Sequence, residues 1–192
     1  IFLHILPDSV VPTVVSYRIK GQTSVYNINL TDHAFWIGSG CIDYNIEFRE
    51  HGCNVSMKYR GFKKNQLLLL PFYPILNSAE FKGFDADIEN KVVVFSGGSY
   101  YKIYGKEDIF FKVLKSLFDR FSNIILLYAG WGHDKPILKF IKKNHLENRL
   151  ILIGERDDIN EVFKRIDIYL GTFPFGGGLM SQYASVNKKP IV

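Results

Sequence analysis

The 192-residue sequence has only two cysteines, Cys41 and Cys53. That excludes a disulfide framework and makes a reducing compartment, the cytoplasm, the simplest setting. His51 lies close to Cys53, but the pair belongs to no set with zinc-ligand spacing, so no metal is expected. No apolar run reaches the roughly 18 residues of a membrane-spanning helix, and no signal peptide is recognisable. There is no dense tract of lysine and arginine, so nucleic acid is not an expected partner. The regular second half has no G-x-G-x-x-G after its first strand, which disfavours a dinucleotide cofactor.

What is present is an ordinary globular composition, 47% apolar and 22% charged, which argues against disorder. The net charge of +5 points to anionic partners such as nucleotide phosphates or acidic lipid headgroups. The abrupt start at Ile1 and the stop inside a strand at Val192 read as a fragment of a longer protein.

The most informative stretch is Asp167 to Val192, DIYLGTFPFGGGLMSQYASVNKKPIV. An apolar strand over 166–170 breaks at Pro174 and at Gly176, Gly177 and Gly178. A helix is expected over 179–186 and a new strand at 190–192. A glycine turn leading into a helix N-terminus suits phosphate, because glycine admits the ligand to the backbone and the first helical N–H groups point at it. The same glycines also suit a plain tight turn.

Upstream, the residues from 91 onward read β-α-β-α-β-α-β-α-β, with strands at 92–95, 123–128 and 150–153 and helices at 107–121, 136–144 and 158–164. Such alternation implies an α/β fold with a parallel sheet covered on both faces. Ligands bind such sheets at the carboxyl ends of the strands, here the loops 96–99, 129–134, 154–158 and 171–178. The first 75 residues are less regular. Strands are expected at 13–19, 24–30, 42–48 and 66–70, with a short helix somewhere in 50–61. Residues 76–90 are polar and aperiodic and read as a linker. The expected domains are therefore 1–75, the end of an acceptor-side α/β domain, and 91–192, a Rossmann-like donor domain truncated at its C-terminus.

The run ILIGERDDINEVFKRIDIYLGTFPFGGGLMSQYASVNKKPIV resembles the GT-B-fold glycosyltransferases, the class built from two Rossmann-like domains. FWIGSGCIDYNIEF followed by LLLLPFYP is similar to the protein O-GlcNAc transferases and their bacterial relatives. The resemblance implies transfer of a sugar from a nucleotide-sugar donor to a glycan or lipid-linked acceptor, in the setting of bacterial polysaccharide biosynthesis. Many retaining members carry a Glu in the glycine-rich turn and another eight positions on. Phe175 and Tyr183 stand at those places here, so the resemblance implies that the ribose-binding carboxylate is either absent or replaced by Gln182, one position away.

Sugar transfer leaves a diphosphate whose charge backbone N–H groups and a cation can stabilise without a metal or other cofactor. Gly177, Gly178 and Leu179 are the candidate amides and Ser181 the candidate hydroxyl. Gly97 and Gly98 either admit the diphosphate or only turn the chain. The resemblance adds Lys102 as the basic residue after the first strand, against a solvated surface lysine. It also places Arg156 beside the nucleotide base, against an ion pair with Asp157 or Asp158. Asp32 and His33 are the candidate acceptor-side acid–base pair, with His133 and Asp134 second. Trp36 and Trp131 suit either sugar stacking or core packing. Two other functions fit the pattern: a non-catalytic nucleotide-sugar or polyanion-binding module, and a nucleotide-sugar 2-epimerase. The net charge also suits peripheral docking at the inner face of a membrane, although the sequence has no strong amphipathic anchor.

Overall fold

The computed structural model describes residues 1–32 and 34–192. The chain divides into two units, Ile1–Phe72 and Tyr73–Val192.

In the first unit, β1 (Phe2–Leu3), β2 (Tyr26–Ile28), β3 (Tyr44–Glu47) and β4 (Leu67–Leu69) form a parallel sheet in that order. Parallel neighbours need a crossover. That requirement explains the largest departure from the sequence reading, because 13–19 is not a strand but part of α1 (Val10–Arg18). Its four valines favour a strand locally, yet the chain must climb back from β1 to β2. Pro12 falls in the first helical turn, where no N–H is missed. The hydroxyls of Thr13 and Ser16 bond back to the carbonyls of Ser9 and Pro12. Residues 50–60 form a full helix, α2 (Glu50–Arg60), closed by Gly61 in the left-handed conformation at φ 75°. β4 is an edge strand and is largely exposed, although its leucine run reads locally as a buried strand.

In the second unit, β5 (Val92–Gly97), β6 (Ile124–Ala129), β7 (Leu150–Gly154) and β8 (Ile168–Tyr169) form a parallel sheet in the order β7-β6-β5-β8. Ile191 adds a parallel bridge to Tyr169. α3 (Ile109–Arg120) and α4 (Lys135–Lys143) pack on one face, where Val94, Leu126, Tyr128 and Leu150 meet Phe110, Leu114, Phe118, Ile137 and Ile141. α5 (Ile159–Arg165) and α6 (Gly178–Val186) cover the other, where Val93, Phe95, Ile125 and Leu127 meet Ile159, Val162, Phe163, Tyr183 and Ala184. The alternation of 93 and 95 against 94 along β5 is the period-2 rule with both faces apolar.

Two expectations need correction here. α3 begins at Ile109, not 107, because Glu107 and Asp108 hold φ of 74° and 53° and cannot form a helical first turn. The stretch read as a linker belongs to the second unit. Phe81, Phe84, Ala86 and Ile88 pack on the α5–α6 core, and Asn77 bonds the Asp157 carbonyl. Its apolar residues follow no period because the segment crosses the core as irregular chain.

Tyr128 lies fully buried, stacked on Tyr100 at 5.4 Å, and among the described residues its hydroxyl has no hydrogen-bond partner. Burial pushes its phenol far above the usual tyrosine value. Leaving such a hydroxyl unbonded costs about 1–3 kcal/mol. Tyr128→Phe is therefore expected to leave the urea midpoint unchanged or raised.

Candidate functional site

The carboxyl ends of β5, β6 and β7 enclose a pocket of about 480 Å³ in the second unit. Its walls include Gly98, Gly130, Trp131, Glu155, Arg156 and, from the first turn of α6, Met180. The strand order switches sides at β5, with β6 and β7 on one side and β8 on the other, the kind of point where open parallel α/β sheets bind ligands. Backbone bonds lace the loops together: Gly98 N–H to Ala129 O at 2.9 Å, Gly130 N–H to Gly154 O at 3.0 Å and Tyr100 N–H to Trp131 O at 2.9 Å. Two glycines are sterically required. Gly98 has φ 137°, and a Cβ on Gly130 would collide with the Gly98 carbonyl and stand 2.8 Å from the Tyr128 ring.

Lys102 lies in a 3-10 turn after β5 and folds back over Gly98. Its Nζ is 3.8 Å from the position a Gly98 Cβ would take. Among the described residues no carboxylate lies within ion-pair distance of it. The two cations that line the pocket, Lys82 and Arg156, are committed to partners. Lys82 pairs with Asp157 at 2.6 Å. Arg156 grips both carboxylate oxygens of Asp158, at 2.7 and 2.6 Å, and donates to Gly83 O at 2.8 Å.

Beyond β8 the chain passes a cis Phe173–Pro174 peptide and enters α6 at Gly177. The first α6 bond runs from Ser181 N–H to Gly177 O, so the preceding helical amides have no intrahelical acceptor. Gly177 is buried, and the place of its Cβ is 3.3 Å from the Tyr169 hydroxyl and 3.8 Å from Gly97 O. The glycine turn and the end of β5 therefore meet. Gly176 and Gly178 face open space. Burial pushes the Tyr169 phenol up to about 12, so it stays a neutral hydroxyl beside this turn.

In the first unit, Asp32 accepts from Asn29 Nδ2 at 3.0 Å and is ion-paired to Arg49. Arg60 donates to the carbonyls of Thr31, Asp32 and Ala34 at 3.2, 2.8 and 2.9 Å, and lies 4.1 Å over the Trp36 ring. Burial lowers the Arg60 pKa, opposed by the charges of Glu47 and Asp32. A pocket of about 240 Å³ lies beside this loop, lined by Asp32, Phe35, Ser39, Tyr59 and Arg60 among others.

No protein-family model matches the chain. Protein CapJ of Staphylococcus aureus is 30% identical over 112 residues, covering 51% of this chain and 28% of CapJ. MJ1069 of Methanocaldococcus jannaschii, named as an uncharacterized glycosyltransferase, is 27% identical over 153 residues, covering 79% of this chain and 37% of MJ1069. The chain thus spans well under half the length of either curated relative. Among solved structures, Anabaena HepE in complex with UDP-glucose superposes with a TM-score of 0.65 at 14% identity, over 94% of this chain and 55% of HepE. The fold is that of the GT-B glycosyltransferases.

Within this GT-B chain the expected donor-side residues fall in two groups. Gly97, Gly98, Lys102 and Gly177 are brought together where β5 ends and α6 begins, with Gly176, Gly178 and Leu179 on the exposed rim of the turn. Ser181 turns its hydroxyl back to Gly177 O at 3.3 Å, and Gln182 sits half-buried one residue along α6. Arg156 lines the pocket, but its guanidinium is held by Asp158, the alternative partner named from sequence. His33 lies outside the described residues. Trp36 is a core residue, edge-on to Phe62 at 6.4 Å, whereas Trp131 is 60% exposed at the pocket wall. Asp134 stands at the N-cap position of α4 and, among the described residues, makes no side-chain capping bond, and the His133 carbonyl accepts from Tyr104. Among the described residues no group of three or more His, Cys, Asp or Glu is placed to hold a metal ion, and no helix is long and apolar enough to cross a membrane.

The sequence reading missed Lys82 and Met180 as pocket residues. Lys82 was hidden in the apparent linker. Met180 was legible in principle, because it follows the glycine turn on the first helical turn.

Proposed function

We propose that this chain is part of a metal-independent glycosyltransferase that moves a sugar from a nucleoside-diphosphate donor to a glycan or lipid-linked acceptor in polysaccharide synthesis. The observation that carries the reading is Lys102, a cation with no carboxylate partner among the described residues, folded over Gly98 where the β5 end meets the α6 N-terminus. As the bond from the anomeric carbon to the diphosphate oxygen breaks, negative charge grows on that oxygen. Lys102 and the free α6 amides face such a charge without reorganising. The pocket along β6 and β7, with Trp131 at its wall, takes the nucleoside. The solved HepE complex with UDP-glucose supports this class of ligand. Asp32 and His33 supply the acid–base groups on the acceptor side, in the cytoplasm and at its membrane face.

A second reading, a nucleotide-sugar-binding module without turnover, is favoured by one observation. Phe175 and Tyr183 occupy the two positions where many retaining relatives carry carboxylates, and Tyr183 is committed to the Ile75 carbonyl at 2.8 Å.

Calorimetric titration of the full-length protein with UDP, GDP, UDP-glucose and UDP-N-acetylglucosamine tests the donor site. One diphosphate is expected to bind selectively, and Lys102→Ala to weaken it about tenfold, the effect of one charge-assisted hydrogen bond. Equal, weak and salt-sensitive binding of all four, unaffected by the substitution, overturns the assignment. Sugar release or transfer by the same preparation separates enzyme from binding module.

A further inference from the structure

The first unit contains a feature that neither packing nor the donor site explains. Parallel sheets bury apolar faces, yet one face of β2 and β3 is polar at alternate positions: Asn27 on β2 and Asn29 just past its end, where its N–H still bonds Ile46 O at 2.9 Å, with Asn45 and Glu47 on β3. All four are buried, and Glu47 is 0% exposed. No cation lies within ion-pair distance of Glu47 among the described residues. Its carboxylate accepts from three neutral donors: Asn29 Nδ2 at 2.7 Å, Asn45 Nδ2 and the Ser56 hydroxyl.

Two of these donors lead to the same loop. Asn29 also donates to Asp32 and, through its Oδ1, accepts the Thr31 N–H at 2.9 Å. Ser56 accepts from Arg60 at 3.2 Å, and Arg60 clamps the carbonyls of Thr31, Asp32 and Ala34. The first turn of α2 presses on both carboxylates. A Cβ on Gly52 would collide with Glu47 and stand 3.0 Å from Asp32 Oδ1. The helix N-terminus favours negative charge there, and only glycine lets it come so close.

We propose that Glu47 is a positioning residue for transfer, fixing the loop that bears Asp32 through Asn29 on one side and through Ser56 and Arg60 on the other. This rests on the reading of the chain as a glycosyltransferase. Glu47 touches no substrate. A Gln in its place turns an amide donor toward one of three donors, and Asn29, facing the second oxygen alone, is the contact it breaks. Asp32 and the Thr31 backbone then lose the Asn29 side of their anchor while Arg60 still holds the carbonyls, and misplacement of a reacting group by about 1 Å can cost a hundredfold in rate.

The test compares Glu47→Gln and Asn29→Ala with Asn27→Ala in the full-length protein, using the nucleotide sugar selected by the calorimetry above. Asn27 donates only to Asn45 at 2.9 Å, so its loss cuts the same buried network on the side away from the loop. Glu47→Gln and Asn29→Ala are expected to lower kcat about tenfold or more with nucleotide Kd unchanged, while Asn27→Ala stays within about twofold at a similar drop in Tm. Wild-type kcat in Glu47→Gln, or an equal fall in all three, makes the network structural only and overturns the proposal. A wild-type protein that binds the nucleotide sugar but shows no turnover overturns the enzyme reading itself, and this proposal with it.

Discussion

Asp158→Asn is expected to destabilise the second unit by about 3–5 kcal/mol, the cost of breaking a buried ion pair from one side. The side chains of Arg156 and Asp158 are 8% and 0% exposed. With Asp158 neutral, Arg156 keeps its bond to Gly83 O and its place 5.7 and 5.8 Å over Phe81 and Phe84, but its charge is left in the interior uncompensated. The same carboxylate accepts the Lys82 N–H at 2.8 Å, which ties residues 77–88 to the pocket. The pH dependence gives a second readout. Burial raises the Asp158 pKa, but the Arg156 hydrogen bond, the Lys82 N–H and the Arg156 charge outweigh it, and the net shift is downward. A carboxyl with a depressed folded pKa stabilises fully above the unfolded value of about 3.9, and this is lost as the pH falls through the lower folded value. The wild-type unit should therefore weaken below about pH 4, and Asp158→Asn should flatten that acid limb. Hydrogen exchange resolved on β5 to β8 measures both without requiring the whole chain to unfold in one step. Unchanged protection at pH 7 would mean that the phenylalanines, not the ion pair, hold this segment.

How far the sequence revealed this arrangement depended on whether the signal was local. The strands of the second unit are continuous apolar runs followed by glycine, and those glycines mark the pocket because a positive φ at Gly98 and close backbone approach at Gly130 permit nothing larger. α1 was misread because four valines in nine residues outweigh any local helix signal, and only the parallel pairing of β1 with β2 demands a crossover. The Arg156–Asp158 pair was one of two equally weighted readings. What decides it is the cover of Phe81 and Phe84 from 70 residues away in the chain, which no spacing rule can see. Asn27, Asn29, Asn45 and Glu47 stand at alternate positions in the sequence, but they point to one buried network only once β2 and β3 are in register.

Gly178→Asp is expected to weaken nucleoside-diphosphate binding roughly thirtyfold to a hundredfold while leaving the fold intact. Gly178 opens α6, has nothing within 4 Å of its missing Cβ, and does not hold a positive φ. The substitution therefore meets no steric barrier. A carboxylate in the first helical turn even favours the helix, by about 0.3–1 kcal/mol through its dipole, and replacing a helical glycine removes a further conformational cost. The same negative charge repels a diphosphate seated on those amides. At a separation of about 5 Å and an effective dielectric near 20, one like-charge pair costs about 3 kcal/mol, and exposure to solvent reduces this toward 2. Gly178→Asn has nearly the same size without the charge, so it should bind within about threefold of wild type. Calorimetry with UDP at low and high salt separates the two effects, because screening should restore part of the Asp variant's affinity and leave the Asn variant unmoved. If Asp and Asn bind UDP equally well, the phosphate does not sit on the α6 N-terminus. Lys102 over Gly98 would then be the feature from which the donor site has to be rebuilt.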